Sequence, residues 1–222
     1  ASIMTSRYTR EHSIGFSNGA TRLRNVETLA EWLREAGYAT GGFVGNIMLK
    51  PRTGFRQGFE HFDSDLPDAE PNRELVFERI AGQTTELALD WLAPTGSRPV
   101  FLWVHYQDPH GPYLPPGDLR DRYLPAARSA PDGERELPSF GINPMGAIPR
   151  YQLAGDRRDV GFYRAGYAGE IRFVDDQMGI LFDALEERGL LAQARIAFTA
   201  DHGESLGELD YWFSHGEFLS DE

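Results

Sequence analysis

Cysteine is absent from all 222 residues. That removes disulfides, thiolate nucleophiles and thiolate metal sites together, and leaves the compartment open. No apolar run reaches transmembrane length, and the first residues lack the basic-then-apolar pattern of a secretory signal. Positive charge is scarce: 22 Lys and Arg stand against 34 Asp and Glu, a formal net charge of −12. Without a long basic patch, a nucleic-acid or anionic-membrane surface is excluded. An anionic substrate is not, because a bound cation reverses the local field. There is no GxxxxGK[ST] motif and no glycine-rich turn suited to cradle a nucleotide. What is present is a chain that is 41% hydrophobic and 25% charged, the balance of a soluble globular protein with a sizeable core. No repeat or linker divides it, so residues 1–222 are read as a single partial domain. The chain opens at Ala1 and stops at Glu222, and is expected to be part of something longer.

Periodicity organises the chain. Asn25 is placed to cap a helix running to Ala36, with Val26, Leu29, Ala30 and Leu33 on one stripe and Gly37 as the left-handed residue that ends it. A short strand is expected over 39–44. A second helix is expected over 78–92, facing inward through Ile80, Leu87, Ala88 and Trp91, with Thr84 and Thr85 as an alternative start. Residues 99–105 are continuously apolar, as in a central strand covered on both faces. Residues 114–159 are rich in proline, glycine and charge, and read as a long loop excursion or lid. A long helix starts near Phe162, with Tyr167, Ile171, Val174, Met178, Leu181 and Leu185 on one buried stripe. A last buried strand is expected over 196–200. Strands alternating with helices imply an α/β fold: a mostly parallel sheet with helices on both faces, and ligands at the carboxyl ends of the strands.

Two polar signatures fall at such ends. Asp201 and His202 follow the last expected strand, and a turn at Gly203 lets a carboxylate and an imidazole address one divalent cation. The alternative is that Asp201 caps a turn and His202 is a loop residue. His110, set between Pro109 and Gly111, suits donation to an anionic oxygen or general acid work, or is simply a proline-stiffened loop residue. His215, among aromatics, suits a cleft wall presenting a cation or donor. His105 reads as a core or supporting histidine. His12 and His61 read as loop histidines, although Arg7 and Arg10 near His12 could attract an anion. Asp175 and Asp176 lie mid-helix, about 100 degrees apart around the axis, and read as structural. Glu204 fixes a loop or caps a turn.

The run Thr199-Ala-Asp-His-Gly-Glu204, with Tyr167-Ala-Gly-Glu-Ile-Arg-Phe-Val-Asp175 and Leu185-Glu-Glu-Arg-Gly-Leu190 before it, resembles the sulfatase family of the alkaline phosphatase superfamily. Phe101-Leu-Trp-Val-His-Tyr-Gln-Asp-Pro-His-Gly-Pro-Tyr113 is similar to that family's second signature. Thr28-Leu-Ala-Glu-Trp-Leu-Arg-Glu-Ala-Gly-Tyr-Ala-Thr40 matches its early helix–strand unit, and Ser2-Ile-Met-Thr-Ser-Arg-Tyr8 the helix after its nucleophile. The likeness implies hydrolysis of sulfate monoesters, on a small molecule, glycan or lipid. It implies a divalent metal, Ca2+ first and Mn2+ or Zn2+ as alternatives, held by Asp201 and His202. His110 would contact the sulfate, and His215 would stand where the family has a basic substrate-binding group. The nucleophile, a formylglycine made within a Cys/Ser-x-Pro-Ser/Ala-Arg segment, is expected just upstream of Ala1, together with two further metal-binding aspartates. The 222 residues alone are therefore expected to lack turnover. Two departures stand out. Gly45-Asn-Ile-Met48 replaces a Gly-Lys-Trp-His-like segment, leaving Asn46 as a polar substrate contact, and Leu209-Asp210 replaces a histidine common in relatives. Alternatives are a phosphomonoester or phosphonate ester hydrolase, and a non-catalytic anion-binding or structural module.

Overall fold

A computed structural model describes all residues except 13, 15–21, 24, 25, 94, 95, 140–144 and 216–222. The chain forms two compact units, residues 1–69 with 76–107, and residues 70–75 with 108–222.

The first unit opens with two short helices, α1 (Ser2–Thr5) and α2 (Thr9–His12), followed by α3 (Leu29–Glu35) and β1 (Ala39–Val44). The expected cap, Asn25, lies outside the described residues. The helix begins later, because Thr28 and Glu31 form a capping box in which each side chain bonds the other's backbone N–H. At its end Gly37, at φ 91°, donates to Arg34 O, and Tyr38 donates to Leu33 O. This is a Schellman stop that glycine reaches without steric cost. β1 has the expected bounds.

β1 is the centre of a parallel sheet ordered β2 (His61–Asp63), β1, β5 (Val100–His105). The expectation that 99–105 is the central strand is corrected. Among the described residues β5 pairs only with β1 and is half-buried along its length. Every residue of β1 is buried, and side chains alternate between its faces. On one face Phe43 meets Trp91 at 6.0 Å, and a Cβ on Gly41 would stand 2.8 Å from that indole. Trp91 belongs to α4 (Ala81–Leu92). On the other face Phe59 stacks on Phe101 and Trp103 at 5.7 and 5.8 Å and packs with Ala30 of α3. Helices thus cover both faces.

In chain order β2 is followed by a hairpin, β3 (Asp68–Glu70) and β4 (Arg73–Glu78), and then by α4. Because Glu78 closes β4, the helix expected from 78 begins at Ala81. Its buried residues are Ala81, Thr84, Thr85, Ala88 and Leu92, whereas Ile80 is exposed. The buried threonines are tolerated because their hydroxyls are bonded, Thr84 to Arg79 Nε and Thr85 to the Tyr106 hydroxyl.

The second unit is built on α5 (Leu119–Ser129) and α6 (Val160–Glu187). α5 corrects the loop reading of 114–159. Its surface is polar, it contains Pro125, and only Leu119 is buried, so periodicity does not reveal it. Its stability comes from packing on α6, where the Arg120 guanidinium lies 4.0 Å from the Phe162 ring centre. Asp159 caps α6 by accepting from Phe162 N. The buried part of α6 is concentrated between Val160 and Glu170, with Leu181 beyond it. Ile171, predicted inside, is 46% exposed, so the buried stripe holds for only part of the helix. Asp176 pairs with Arg172 at 2.7 Å on the exposed side, as a structural reading requires. The core joins Tyr113, Leu137, Ile148, Val160, Phe162, Tyr163, Trp212 and Phe213.

The strand expected over 196–200 is also corrected. The segment has no strand assignment, and Ile196 and Phe198 are 56% and 75% exposed. Apolar, β-favouring residues supply only propensity. A strand also needs a neighbour to take its backbone hydrogen bonds, and among the described residues 196–200 has none.

Candidate functional site

The candidate site lies within the second unit, and a small hairpin positions half of it. β6 (Ser205–Leu206) and β7 (Trp212–Ser214) pair antiparallel with Ser205 opposite Ser214. Continuing that register by one residue brings Glu204 opposite His215. Glu204 Oε1 accepts from His215 Nδ1 at 3.3 Å, with the carboxylate side chain only 5% exposed. This bond raises the His215 pKa above its ordinary value, against the smaller opposing effect of burial. β7 is anchored by the core: Phe213 is fully buried, stacks on Tyr163 at 5.0 Å, and its carbonyl accepts from Gln152 Nε2 and the Tyr151 hydroxyl.

The His202 ring stacks on that of His215 with centres 3.9 Å apart. Its Nδ1 lies 2.9 Å from Gly203 O. A carbonyl only accepts, so Nδ1 is the donor here and Nε2 is the ring atom left to face other groups. Nε2 lies 3.5 Å from Asp201 Oδ2, and the Asp201 side chain is 85% exposed. Carboxylate and imidazole therefore converge, and two donors at that separation can share one cation. Asp201 and His202 could supply two ligands to a metal. Among the described residues, no third Asp, Glu, His or Cys joins them in a cluster able to hold an ion.

His110 comes from the proline-rich loop after β5. Its ring centre is 5.6 Å from that of His215, so the three imidazoles form a continuous group. His110 Nδ1 donates to Gly111 O at 2.8 Å. Burial, then the nearby Arg73 and His215 charges, lower its pKa to about 4. It is therefore neutral at pH 7, with Nε2 unprotonated.

Sequence reasoning missed the group beneath His110. Arg73 forks onto Glu70 through Nε and Nη2, and Glu70 Oε1 lies 4.0 Å from His110 Nδ1. The Glu70 side chain is fully buried, and burial raises its pKa more than Arg73 lowers it. The Arg73 guanidinium sits 4.6 Å from the centre of the Tyr151 ring, which stacks in turn with His110. Asn72 holds this tip in place by donating to Tyr151 O and Leu153 O. The turn Pro71-Asn72 between Glu70 and Arg73 is the signal that could have announced a hairpin tip.

Asn46 belongs to the first unit. Its side chain accepts from Met48 N and donates to Gln107, so both ends of the amide are engaged. His105 is half-buried beside Trp103. His61 packs against Phe43 and Trp91. His12 is buried and bonded to Ser2 and Ile14 rather than exposed in a loop, while Arg7 pairs with Glu11.

The family model described as Sulfatase matches residues 1–222. The chain belongs to the sulfatase family. Among curated sulfatases, iduronate 2-sulfatase of Homo sapiens is 32% identical over 152 residues, 61% of this chain and 28% of that protein. Choline-sulfatase of Rhizobium meliloti (strain 1021) is 30% identical over 132 residues, 54% of this chain and 24% of that protein. This sulfatase chain thus spans about a quarter of the length of the curated relatives it matches. Its fold resembles the crystal structure of the phosphonate monoester hydrolase of Agrobacterium radiobacter, with a TM-score of 0.68 and 18% identity. That match covers 98% of this chain and 55% of that one. The mixed fold with its parallel sheet is accordingly the alkaline-phosphatase-like one. Among the described residues no helix is long and apolar enough to cross a membrane.

Proposed function

We propose that this chain carries the charge-stabilising part of a metal-dependent sulfuric ester hydrolase site, acting on the sulfate monoester of a small molecule or glycan. The observation that supports it most is the histidine group. His202, His215 and His110 are each bonded through Nδ1, beside a carboxylate at Asp201, so that each Nε2 is available for a different task.

Asp201 and His202 hold a divalent cation, with Ca2+ first and Mn2+ or Zn2+ as alternatives. When bound, that ion offsets negative charge on the sulfuryl oxygens. His215, whose protonated form Glu204 favours, is placed to donate an Nε2 proton toward an ester oxygen. His110 accepts at Nε2 in the free site, and an arriving sulfate anion favours its protonation and hence its donation to a sulfuryl oxygen. Loss of one such aimed donor typically costs on the order of 3 kcal/mol in the transition state. Asn46, bonded at both ends of its amide by Met48 and Gln107, ranks below the histidines as a substrate contact. The 222 residues contain neither cysteine nor a Ser-x-Pro-Ser/Ala-Arg segment. A formylglycine nucleophile is therefore assigned to a part of the enzyme that these residues do not include.

Calorimetric titration with Ca2+ and Mn2+ tests the assignment. The chain should bind one ion, and Asp201→Ala and His202→Ala should each weaken that binding by tenfold or more. Unchanged affinity in both variants overturns the ligand assignment.

A further inference from the structure

Arg73 has a charge and a geometry that sulfate hydrolysis does not itself require. A guanidinium has five N–H donors, and two of them, on Nε and Nη2, go to the Glu70 carboxylate. The opposite edge, Nη1 with the second proton of Nη2, has no acceptor among the described residues. The side chain is 34% exposed, and this edge is the part of the guanidinium left without a bond. It is also held in place. Glu70 is buried and fixes the plane from one side, the Tyr151 ring lies against the face at 4.6 Å, and Asn72 pins the hairpin tip to Tyr151 O and Leu153 O. A pre-oriented planar fork loses little freedom when it meets a carboxylate or sulfate bidentately. Its position is next to the histidine group, since Tyr151 stacks with His110 and Glu70 lies 4.0 Å from the same ring. A chain of net charge −12 places a rigid cation there.

We infer that Arg73 is a specificity residue. Its free edge binds a second anionic group of the substrate, a carboxylate or a further sulfate, so the site prefers sulfate esters carrying a neighbouring anion over singly charged ones. The inference rests on the proposed sulfate site at His110, His202 and His215.

The test is calorimetric titration of the Mn2+-loaded chain with phenyl sulfate, 3-carboxyphenyl sulfate and benzene-1,3-disulfate. Wild type should bind both dianions at least tenfold more tightly than phenyl sulfate. Arg73→Met alone leaves Glu70 buried without its partner, so Glu70→Gln/Arg73→Met is the safer variant, with circular dichroism to confirm folding. Whatever its affinity for phenyl sulfate, its ratio of dianion to phenyl sulfate affinity should fall to about one, so that the preference is lost. Arg73→Lys, which keeps charge without the fork, should retain part of it. If wild type binds all three probes equally, or the double variant keeps the preference, the inference is overturned while the sulfate site stands. A gain confined to one dianion identifies the group that the edge accepts. If wild type binds none of the probes, the proposed sulfate site fails and this inference falls with it.

Discussion

Replacing Arg73 with Ala alters the site through a buried charge. In the wild type the fully buried Glu70 carboxylate accepts both bonds of the Arg73 fork. Removing one member of a buried pair typically costs 3–5 kcal/mol, because the other is left uncompensated. Arg73 is one-third exposed, and water screens part of the pair, so the lower end, about 3 kcal/mol, is expected at neutral pH. The pH dependence is the sharper signature. Burial already raises the Glu70 pKa, and Arg73 opposes that rise. Without Arg73 the folded-state pKa climbs further above the unfolded value, so the folded chain holds a proton that the unfolded chain releases. For such an acid the penalty is absent below the unfolded pKa and grows as pH rises toward the folded one. Urea unfolding of Arg73→Ala against wild type should therefore show a large deficit at pH 7.5 that shrinks toward pH 5. Glu70→Gln/Arg73→Ala should recover much of the loss at pH 7.5. A deficit equal at both pH values, or a double variant no more stable than the single one, would refute the buried-charge reasoning.

Glu204→Gln removes the main cause of the raised His215 pKa, so that imidazole should titrate at lower pH when followed by NMR. An unmoved titration would show that the 3.3 Å contact carries no charge interaction. Gly58→Ala places a methyl 2.1 Å from the Glu31 backbone nitrogen at φ 85°. It should cost several kcal/mol in thermal or urea unfolding, and a loss under about 1 kcal/mol would contradict that packing.

Legibility followed the range of the interactions. β1 and β5 were visible because their apolar runs are short and bounded, and α6 because its pattern is long. The true start of α3 was also written in the sequence, as Thr28 and Glu31 three residues apart, but Asn25 offered a competing cap. α5 was hidden because it is held by α6 rather than by its own periodicity, and 196–200 was overcalled because pairing is not a local property. The same division runs through the site. Asp201, His202, His110 and His215 announce themselves as polar residues leaving apolar runs or set among aromatics. Glu70, Arg73 and Tyr151 do not. Their meeting depends on Asn72 bonding carbonyls about eighty positions away, which no local pattern encodes.

Helix α6 spans 28 residues, about 42 Å at the usual rise, yet its cover is uneven. Its first third is locked into the aromatic core, while beyond Glu170 only Leu181 is buried. One unbroken helix therefore has two mechanical characters. The amino-terminal end should open only when the whole unit unfolds, and the carboxyl-terminal end can fray by itself. Asp201 and His202 follow that loosely held end, whereas His215 is tethered to the core through Phe213. The two sides of the stacked imidazole pair are thus anchored differently, His215 through the aromatic core and His202 through exposed chain.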